Sequence, residues 1–260
     1  MTVAAPERRA MENIKKSGMV TGAAQGIGKA IALRLMKDGY SLSLLDILET
    51  ELAQTDQEIR SAFGDRVQSM RIDVTKPDQV NGAVKAHVER FGGINLLVNN
   101  AGILIKGACD QTTDESWDQV LKVNLYGPFY LCRAVIPHMK AKRSGIIVNV
   151  SSRAGRSFTP FGGVPYASSK AGLLGLTRQL AYELASFKIR VNAVCPSGTL
   201  TPLAKTLRTP QEIERAAVNF PLGRFADPED VAGGVSFLAS DDAAYITGVA
   251  LDINGGTLMI

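Results

Sequence analysis

Imidazole and sulfur are scarce in this sequence. Its 260 residues contain two histidines, His87 and His138, and three cysteines, Cys109, Cys132 and Cys195. Two imidazoles give a His-based zinc site or a Ser-His-Asp triad little to draw on, and no metal is expected. Three widely spaced cysteines cannot build a disulfide framework and read as packed thiols. Charge of one sign is short as well. With 29 basic against 25 acidic side chains the net charge is +4, which solvated surface groups explain and which makes no case for nucleic acid. No apolar run approaches the roughly 20 residues that span a bilayer, so no membrane partner is expected. The first twenty residues have scattered charges and no apolar segment of the signal-peptide kind, so the cytoplasm is the expected compartment. Neither a Pro/Ser-rich linker nor a repeat divides the chain.

Apolar material, by contrast, is plentiful. Hydrophobic residues are 45% and charged residues 21%, enough for a substantial core and against wholesale disorder. Strand-like runs recur at Gly18–Thr21, Leu42–Asp46, Val67–Asp73, Leu96–Asn99, Ile146–Ser151, Val191–Cys195 and Val249–Ile253. Several are nearly continuous in Val, Ile and Leu, so both their faces need covering. The first is the poorest strand, because Gly18 stands where a β-branched residue would serve better. Helix-like stretches lie between. Lys29–Gly39 puts Ile31, Leu35 and Met36 on one face and ends in glycine. Thr75 and Pro77 read as the N-cap and early turn of a helix that stops at Gly92-Gly93. TPQEIERAAV and DPEDVAGGVSFLAS begin in the same manner, with a polar cap, then Pro, then acids. Strand–helix alternation along the chain requires crossovers and a parallel sheet. The expected fold is α/β. It is a single doubly wound Rossmann-type domain over residues 1–260, with a seven-stranded parallel sheet, helices on both faces, and residues 1–15 as a mobile N-terminal extension.

The first strand runs into Thr21-Gly22-Ala23-Ala24-Gln25-Gly26-Ile27-Gly28 and then a helix. Glycines let the backbone turn sharply and approach a pyrophosphate, and the helix N-terminus faces the negative charge. Such a loop alone could equally be a plain strand-to-helix turn. Here an acid, Asp46, also ends the second strand, 18 residues after Gly28. Its carboxylate can accept hydrogen bonds from adenosine ribose hydroxyls and would repel a 2′-phosphate. No Arg or Lys at Ala23–Gln25 or Ile47–Leu48 could receive that phosphate. NAD is therefore expected over NADP. The competing role for Asp46 is to cap the next helix.

Tyr166 and Lys170 are four residues apart on a helical stretch and share a face. An ordinary Tyr, with a pKa of about 10, is a poor base at neutral pH. A nearby ammonium favours phenolate, so the pair is expected to lower the tyrosine's pKa and act as a proton donor and acceptor. The alternative is a buried Tyr with an unrelated surface Lys. Ser152, at the end of the preceding strand, points toward the same crevice and disfavours it.

The spacing Thr-Gly-x-x-x-Gly-Ile-Gly, and not Gly-x-Gly-x-x-Gly, resembles the short-chain dehydrogenase/reductase family. So do the landmarks that follow in order. These are IDV (Ile72 to Val74), NNAG (Asn99 to Gly102), VNL (Val123 to Leu125), IVNVSS (Ile147 to Ser152) and YASSK (Tyr166 to Lys170). RVNAVCP (Arg190 to Pro196), PLGR (Pro221 to Arg224), YITG (Tyr245 to Gly248) and LDINGG (Leu251 to Gly256) complete the set. The resemblance implies that Tyr166 is the general acid/base and that Lys170 tunes it and binds the nicotinamide ribose. It implies that Ser152 hydrogen-bonds the substrate oxygen, with Ser151 as the neighbouring candidate, and that Asn124 holds a water linking Lys170 to solvent. Cofactor contacts implied in the same way are Gly22, Gln25, Gly26, Ile27 and Gly28 in the glycine loop, with Asp73 and Val74 at the adenine. Asn99, Ala101 and Gly102 would form the floor below the ribose, and Pro196, Thr199 and Thr201 would orient the carboxamide. Two departures stand out. Ser197 follows Pro196 where the family usually has Gly, and the 14-residue step from Ser152 to Tyr166 is one longer than common.

Substrate choice is expected from the loops Arg153–Pro165 and Leu200–Phe220. The first carries Arg153, Arg156, Phe158 and Phe161, and the second Leu203, Leu207, Arg208 and Arg215. An Arg facing the cleft would suit a carboxylate or phosphate. Solvation or pairing with acids is the plainer fate. The stretch Tyr166–Phe187 is apolar around much of its circumference. Intrachain packing would explain that, while the resemblance implies a homotetramer in which it and Glu115–Met139 cross a subunit interface. The expected function is hydride transfer between NAD(H) and a secondary alcohol or ketone. The alternatives are a 3-oxoacyl-thioester reductase, acting on an acyl-carrier protein, and a catalytically silent NAD-binding regulator.

Overall fold

The computed structural model describes residues 16–160, 162–207 and 209–260. The expected N-terminal extension, Phe161 and Arg208 lie outside them. Seven strands form one sheet: β1 (Ser17–Thr21), β2 (Ser41–Asp46), β3 (Val67–Arg71), β4 (Leu96–Asn99), β5 (Gly145–Val150), β6 (Ile189–Pro196) and β7 (Ala250–Ile253). Their order is β3-β2-β1-β4-β5-β6-β7, and every pair is parallel. The chain therefore reverses its direction of sheet growth between β1 and β4. Loops leaving the carboxyl ends of these neighbours splay apart there and open a crevice.

Period-2 alternation divides the core in two. Val20, Leu44, Val98 and Val148 face α1 (Gly26–Lys37) and α9 (Pro228–Ala239). Met19, Leu45, Leu97 and Ile147 face α3 (Pro77–Phe91), α5 (Gly127–Lys142) and α6 (Gly163–Leu184). Burial on both sides is what the continuous Val/Ile/Leu runs require. Gly18 keeps its place in β1 because a Cβ there would stand 3.1 Å from Leu96 Cβ and 3.2 Å from the Leu96 carbonyl oxygen.

The helix starts differ from expectation in instructive ways. α1 begins at Gly26, three residues early, because the glycine loop supplies its first turn. α3 is not capped by Thr75. That residue donates both its N–H and its hydroxyl to Asp73 Oδ1, at 2.8 and 2.7 Å, and Lys76 becomes the N-cap. The other Pro-led starts hold. α8 (Pro210–Ala217) opens on a Thr209–Glu212 capping box, and α9 on Asp227–Asp230. Two elements had no sequence expectation: α2 (Glu49–Phe63), and α7 (Pro202–Leu207) inside the second substrate loop. The single helix expected around Glu115–Met139 is interrupted. α4 (Asp114–Leu121) passes through a π turn, Lys122–Tyr126, before α5. Cys132 and Cys195 are packed thiols, whereas Cys109 is exposed.

Candidate active site

The crevice has a glycine-loop wall and a catalytic wall. On the first, a methyl on Gly28 would collide with the Gly22 carbonyl oxygen at 1.9 Å, so only glycine lets the loop close on its own helix. The N–H groups of Gly26, Ile27 and Gly28 have no intrahelical acceptor, and no side chain caps them, which leaves a cradle for an anion. Asp46 stands beside this loop. Its Oδ2 accepts the Ala24 N–H at 2.9 Å and its Oδ1 the Leu48 N–H at 3.0 Å. Leu48 is the N-cap of α2, one residue before the helix, and no side chain caps that helix, so the bond is a local turn and the capping alternative is not realised. Each oxygen keeps a lone pair for a hydroxyl. These features fit a dinucleotide.

One floor residue needs correction. Asn99 is buried, and its amide donates to Asn149 Oδ1 at 2.9 Å, away from the crevice. Strand alternation sends it toward the α5 and α6 layer. Asn100 does the gripping. Its Nδ2 donates to the carbonyls of Thr21 and Gly22, both at 3.0 Å, and its N–H donates to Thr21 Oγ1 at 2.9 Å. Ala101 donates its own N–H to the same hydroxyl at 3.0 Å. Val74 is buried against Gly127, and Asp73 closes its own turn.

On the catalytic wall, Ser151 and Ser152 follow directly on β5, and Tyr166 and Lys170 face them from the first turns of α6. Ser152 lies beside the Tyr166 phenol, close enough to act on its ionisation, and its hydroxyl accepts the Ala154 N–H at 3.1 Å. Ser151 is committed elsewhere, donating to the Lys170 carbonyl at 2.8 Å. Ser152 is thus the serine beside the phenol. Lys170 Nζ is buried, donates to the Val150 carbonyl at 2.9 Å and sits 5.7 Å from the centroid of the Tyr166 ring. A Cβ on Gly102 would stand 3.4 Å from that Nζ and 3.3 Å from Asn124 Oδ1, so Gly102 marks the space where the tyrosine, lysine and asparagine segments meet.

The electrostatics depart from expectation. Burial pushes Lys170 down to about 8, and it pushes the Tyr166 phenol above its ordinary 10; the Ser152 side chain opposes this only in part. Desolvation outweighs the ammonium, which turns a proton toward Val150. The resting phenol is therefore an acid. Asn124 also differs. Its Oδ1 accepts the Ile103 N–H at 2.8 Å, while Nδ2 donates to the Ile103 carbonyl at 2.9 Å and to Ser169 Oγ at 3.0 Å. Both side-chain donors are committed, so the side chain braces the loop and has no N–H left for a water. Its main-chain carbonyl, in the π turn, has no i+4 donor because residue 128 is proline. No sequence argument had picked out Asn100, Ser169 or Ile103.

The far rim is the loop after β6. Pro196 ends that strand. Thr199 donates to the Ser197 carbonyl at 3.2 Å, and the Thr201 hydroxyl accepts the Ala204 N–H at 3.1 Å. A methyl on Gly26 would stand 3.4 Å from Thr201 Cγ2, so this loop reaches across to the glycine loop. Ser197 turns toward the chain's last turn, where its hydroxyl pairs with Thr257 at 3.2 Å. Of the arginines, Arg156 is tied to Asp252 at 3.0 Å and to the Ala250 carbonyl at 2.7 Å, as the plainer expectation had it. Arg153 lies over the exposed Phe158 ring, 5.9 Å from its centroid.

A family model described as enoyl-(acyl carrier protein) reductase matches residues 22–257. A 3-oxoacyl-[acyl-carrier-protein] reductase of Thermotoga maritima is 41% identical over 242 residues, 93% of this chain and 97% of that one. A solved actinorhodin polyketide ketoreductase, a single-substitution variant with NADPH, superposes with a TM-score of 0.90 at 35% identity, covering 95% of this chain and 98% of that one. The 3-ketoacyl-(acyl-carrier-protein) reductase of Brucella melitensis, complexed with NADH, gives 0.89 at 33% identity, covering 95% and 100%.

Proposed function

The chain belongs to the short-chain dehydrogenase/reductase family, and from that premise we propose that Asn124, Ser152, Tyr166 and Lys170 serve hydride transfer between NAD(H) and a secondary alcohol or ketone. It is an NAD(P)-dependent oxidoreductase of ketone and alcohol groups, as its relatives are. The observation that carries the role assignment is the buried Lys170 Nζ, 5.7 Å from the Tyr166 ring centroid, with Ser152 beside the same phenol. When bound, the dinucleotide supplies or accepts the hydride. Ser152 holds the substrate oxygen, and Tyr166 hands that oxygen its phenolic proton as negative charge develops there. Lys170 binds the nicotinamide ribose, and its charge favours the phenolate that remains. The Asn124 main-chain carbonyl, which has no i+4 donor, takes the water through which the proton is replaced. Gly22, Gln25, Gly26, Ile27, Gly28, Asp73, Val74, Ala101, Gly102, Pro196, Thr199 and Thr201 line the rest of the dinucleotide site.

NADH over NADPH rests on Asp46, whose carboxylate would oppose a 2′-phosphate. The relatives' substrates favour a second reading, 3-oxoacyl-thioester reduction, and one panel decides between them. Simple ketones, 3-oxo esters and an acetoacetyl thioester are each assayed with NADH and NADPH. The expected result is kcat/KM at least about 10-fold higher with NADH, about 1.4 kcal/mol of discrimination. A clear NADPH preference removes the Asp46 role, and turnover confined to the thioester selects the second reading.

Assembly is proposed to be tetrameric and cytoplasmic. Among the described residues no helix is long and apolar enough to cross a membrane. Exposed Tyr126 at the end of the π turn, Phe129 on α5 and Tyr182 on α6 support contact between copies across these helices. Light scattering is expected to return four times the chain mass; a monomer would remove the proposal.

A further inference from the structure

Helix α2 has one residue out of character. Its buried stripe is Leu52, Thr55 and Ile59, and the middle position is polar. A threonine within a helix ordinarily returns its hydroxyl to a carbonyl one turn back. Thr55 instead donates to the carbonyl of Ala24, 2.8 Å away and 31 residues earlier in the chain. Ala24 is the glycine-loop residue whose N–H, at 2.9 Å, holds Asp46 Oδ2. The other oxygen of Asp46 takes the Leu48 N–H at 3.0 Å, at the start of the helix that carries Thr55. Loop, strand end and helix are thereby joined in a closed triangle of three hydrogen bonds. Thr55 is 1% exposed and Ala24 3% exposed, so water cannot substitute for the hydroxyl without a local opening.

We propose that Thr55 is a positioning residue for cofactor choice, fixing the carboxylate edge that Asp46 presents to the adenosine ribose. The proposal rests on the reading that Asp46 meets that ribose. Without the hydroxyl, the Ala24 carbonyl is a buried acceptor lacking its donor, and its peptide turns to find one. That peptide pivots on the Ala24 Cα, which it shares with the peptide whose N–H holds Asp46, so its displacement shifts the Cα and loosens the hold on Asp46. A loosened carboxylate grips ribose hydroxyls less well and opposes a 2′-phosphate less strongly. The two dinucleotides are therefore affected unequally, which a general weakening of the fold would not produce.

The test is direct titration of the full chain with NADH and with NADPH, alongside kcat at saturating NADH. Thr55→Val, of nearly the same shape, is expected to raise the Kd for NADH about 10-fold, and that for NADPH by less than about 3-fold. In the same variant kcat changes by less than about 2-fold. Thr55→Ser keeps the hydroxyl and is expected to restore both constants to within about 2-fold of wild type. Should the valine variant fail to fold, Thr55→Ala carries the same comparison. Equal weakening of both dinucleotides, or no weakening, overturns the proposal. A wild-type preference for NADPH overturns instead the Asp46 reading beneath it.

Discussion

Replacing Tyr166 by Phe is expected to lower kcat for ketone reduction by at least about 10²-fold, the lower bound for losing a positioned general acid. The same change is expected to leave the Kd for NADH within about 3-fold. The ring packs beside Gly162, where a methyl would stand 2.7 Å from Tyr166 Cδ1, so phenylalanine keeps the packing and loses only the hydroxyl. Ser152 keeps its bond to the Ala154 N–H at 3.1 Å and stays in place. Glycine loop and Asp46 are untouched. Steady-state kinetics with calorimetric titration of NADH separate the two effects, and near-normal turnover would take Tyr166 out of the chemistry. Because burial holds the phenol above 10, the proton is present throughout the neutral range, and its loss is felt across that range.

Acid is expected to weaken the fold by about 3 kcal/mol between pH 6.5 and pH 4, through one imidazole. His87 is fully buried on α3. Its Nδ1 meets Ser43 Oγ at 2.6 Å and its Nε2 meets the Gly93 carbonyl at 3.1 Å. Gln68 donates to the same Ser43 oxygen at 2.7 Å, so the serine proton goes to Nδ1 and the ring is neutral with its hydrogen on Nε2. Burial drives the group from its ordinary 6.5 to about 4, with the Gly93 carbonyl resisting and Lys142 assisting. The unfolded chain takes up a proton as pH falls through 6.5, while the folded chain refuses it until about 4. Stability is thus complete above 6.5 and declines from there to about 4. Urea unfolding at pH 7 and pH 4.5 should show the decline, and His87→Gln should remove most of it while lowering stability at pH 7. An unchanged slope in that variant would assign the effect to other groups.

The parallel sheet was legible because strands buried on both faces must be apolar throughout. Tyr166 and Lys170 were legible because helical spacing alone puts them on one face. α2 was not, since a 15-residue helix with only Leu52, Thr55 and Ile59 buried leaves little apolar pattern to find. Non-local bonds were equally hidden. Nothing near Thr75 announces that Asp73 will claim its hydroxyl, and Ser197 meets Thr257 across 60 residues. The exchange of Asn99 for Asn100 could have been caught. Leu97 and Asn99 share a face of β4, and Asn99 stands in register with Asn149, so parity alone turns it into the helix layer. The raised phenol was beyond reach of spacing, because it depends on how completely water is excluded.

The π turn between α4 and α5 fixes more than one carbonyl. Deleting any single residue from 122–126 would relax it to ordinary helix and swing everything downstream by about 100°, with about 1.5 Å of retreat along the axis. Leu131, Cys132, Val135 and Met139 would then rotate off Leu97 and Ile147 together. Substitutions there act on one contact at a time, whereas a length change shifts the frame of a whole helix. Asn124 apart, this segment should therefore vary in identity among functional variants and never in residue count.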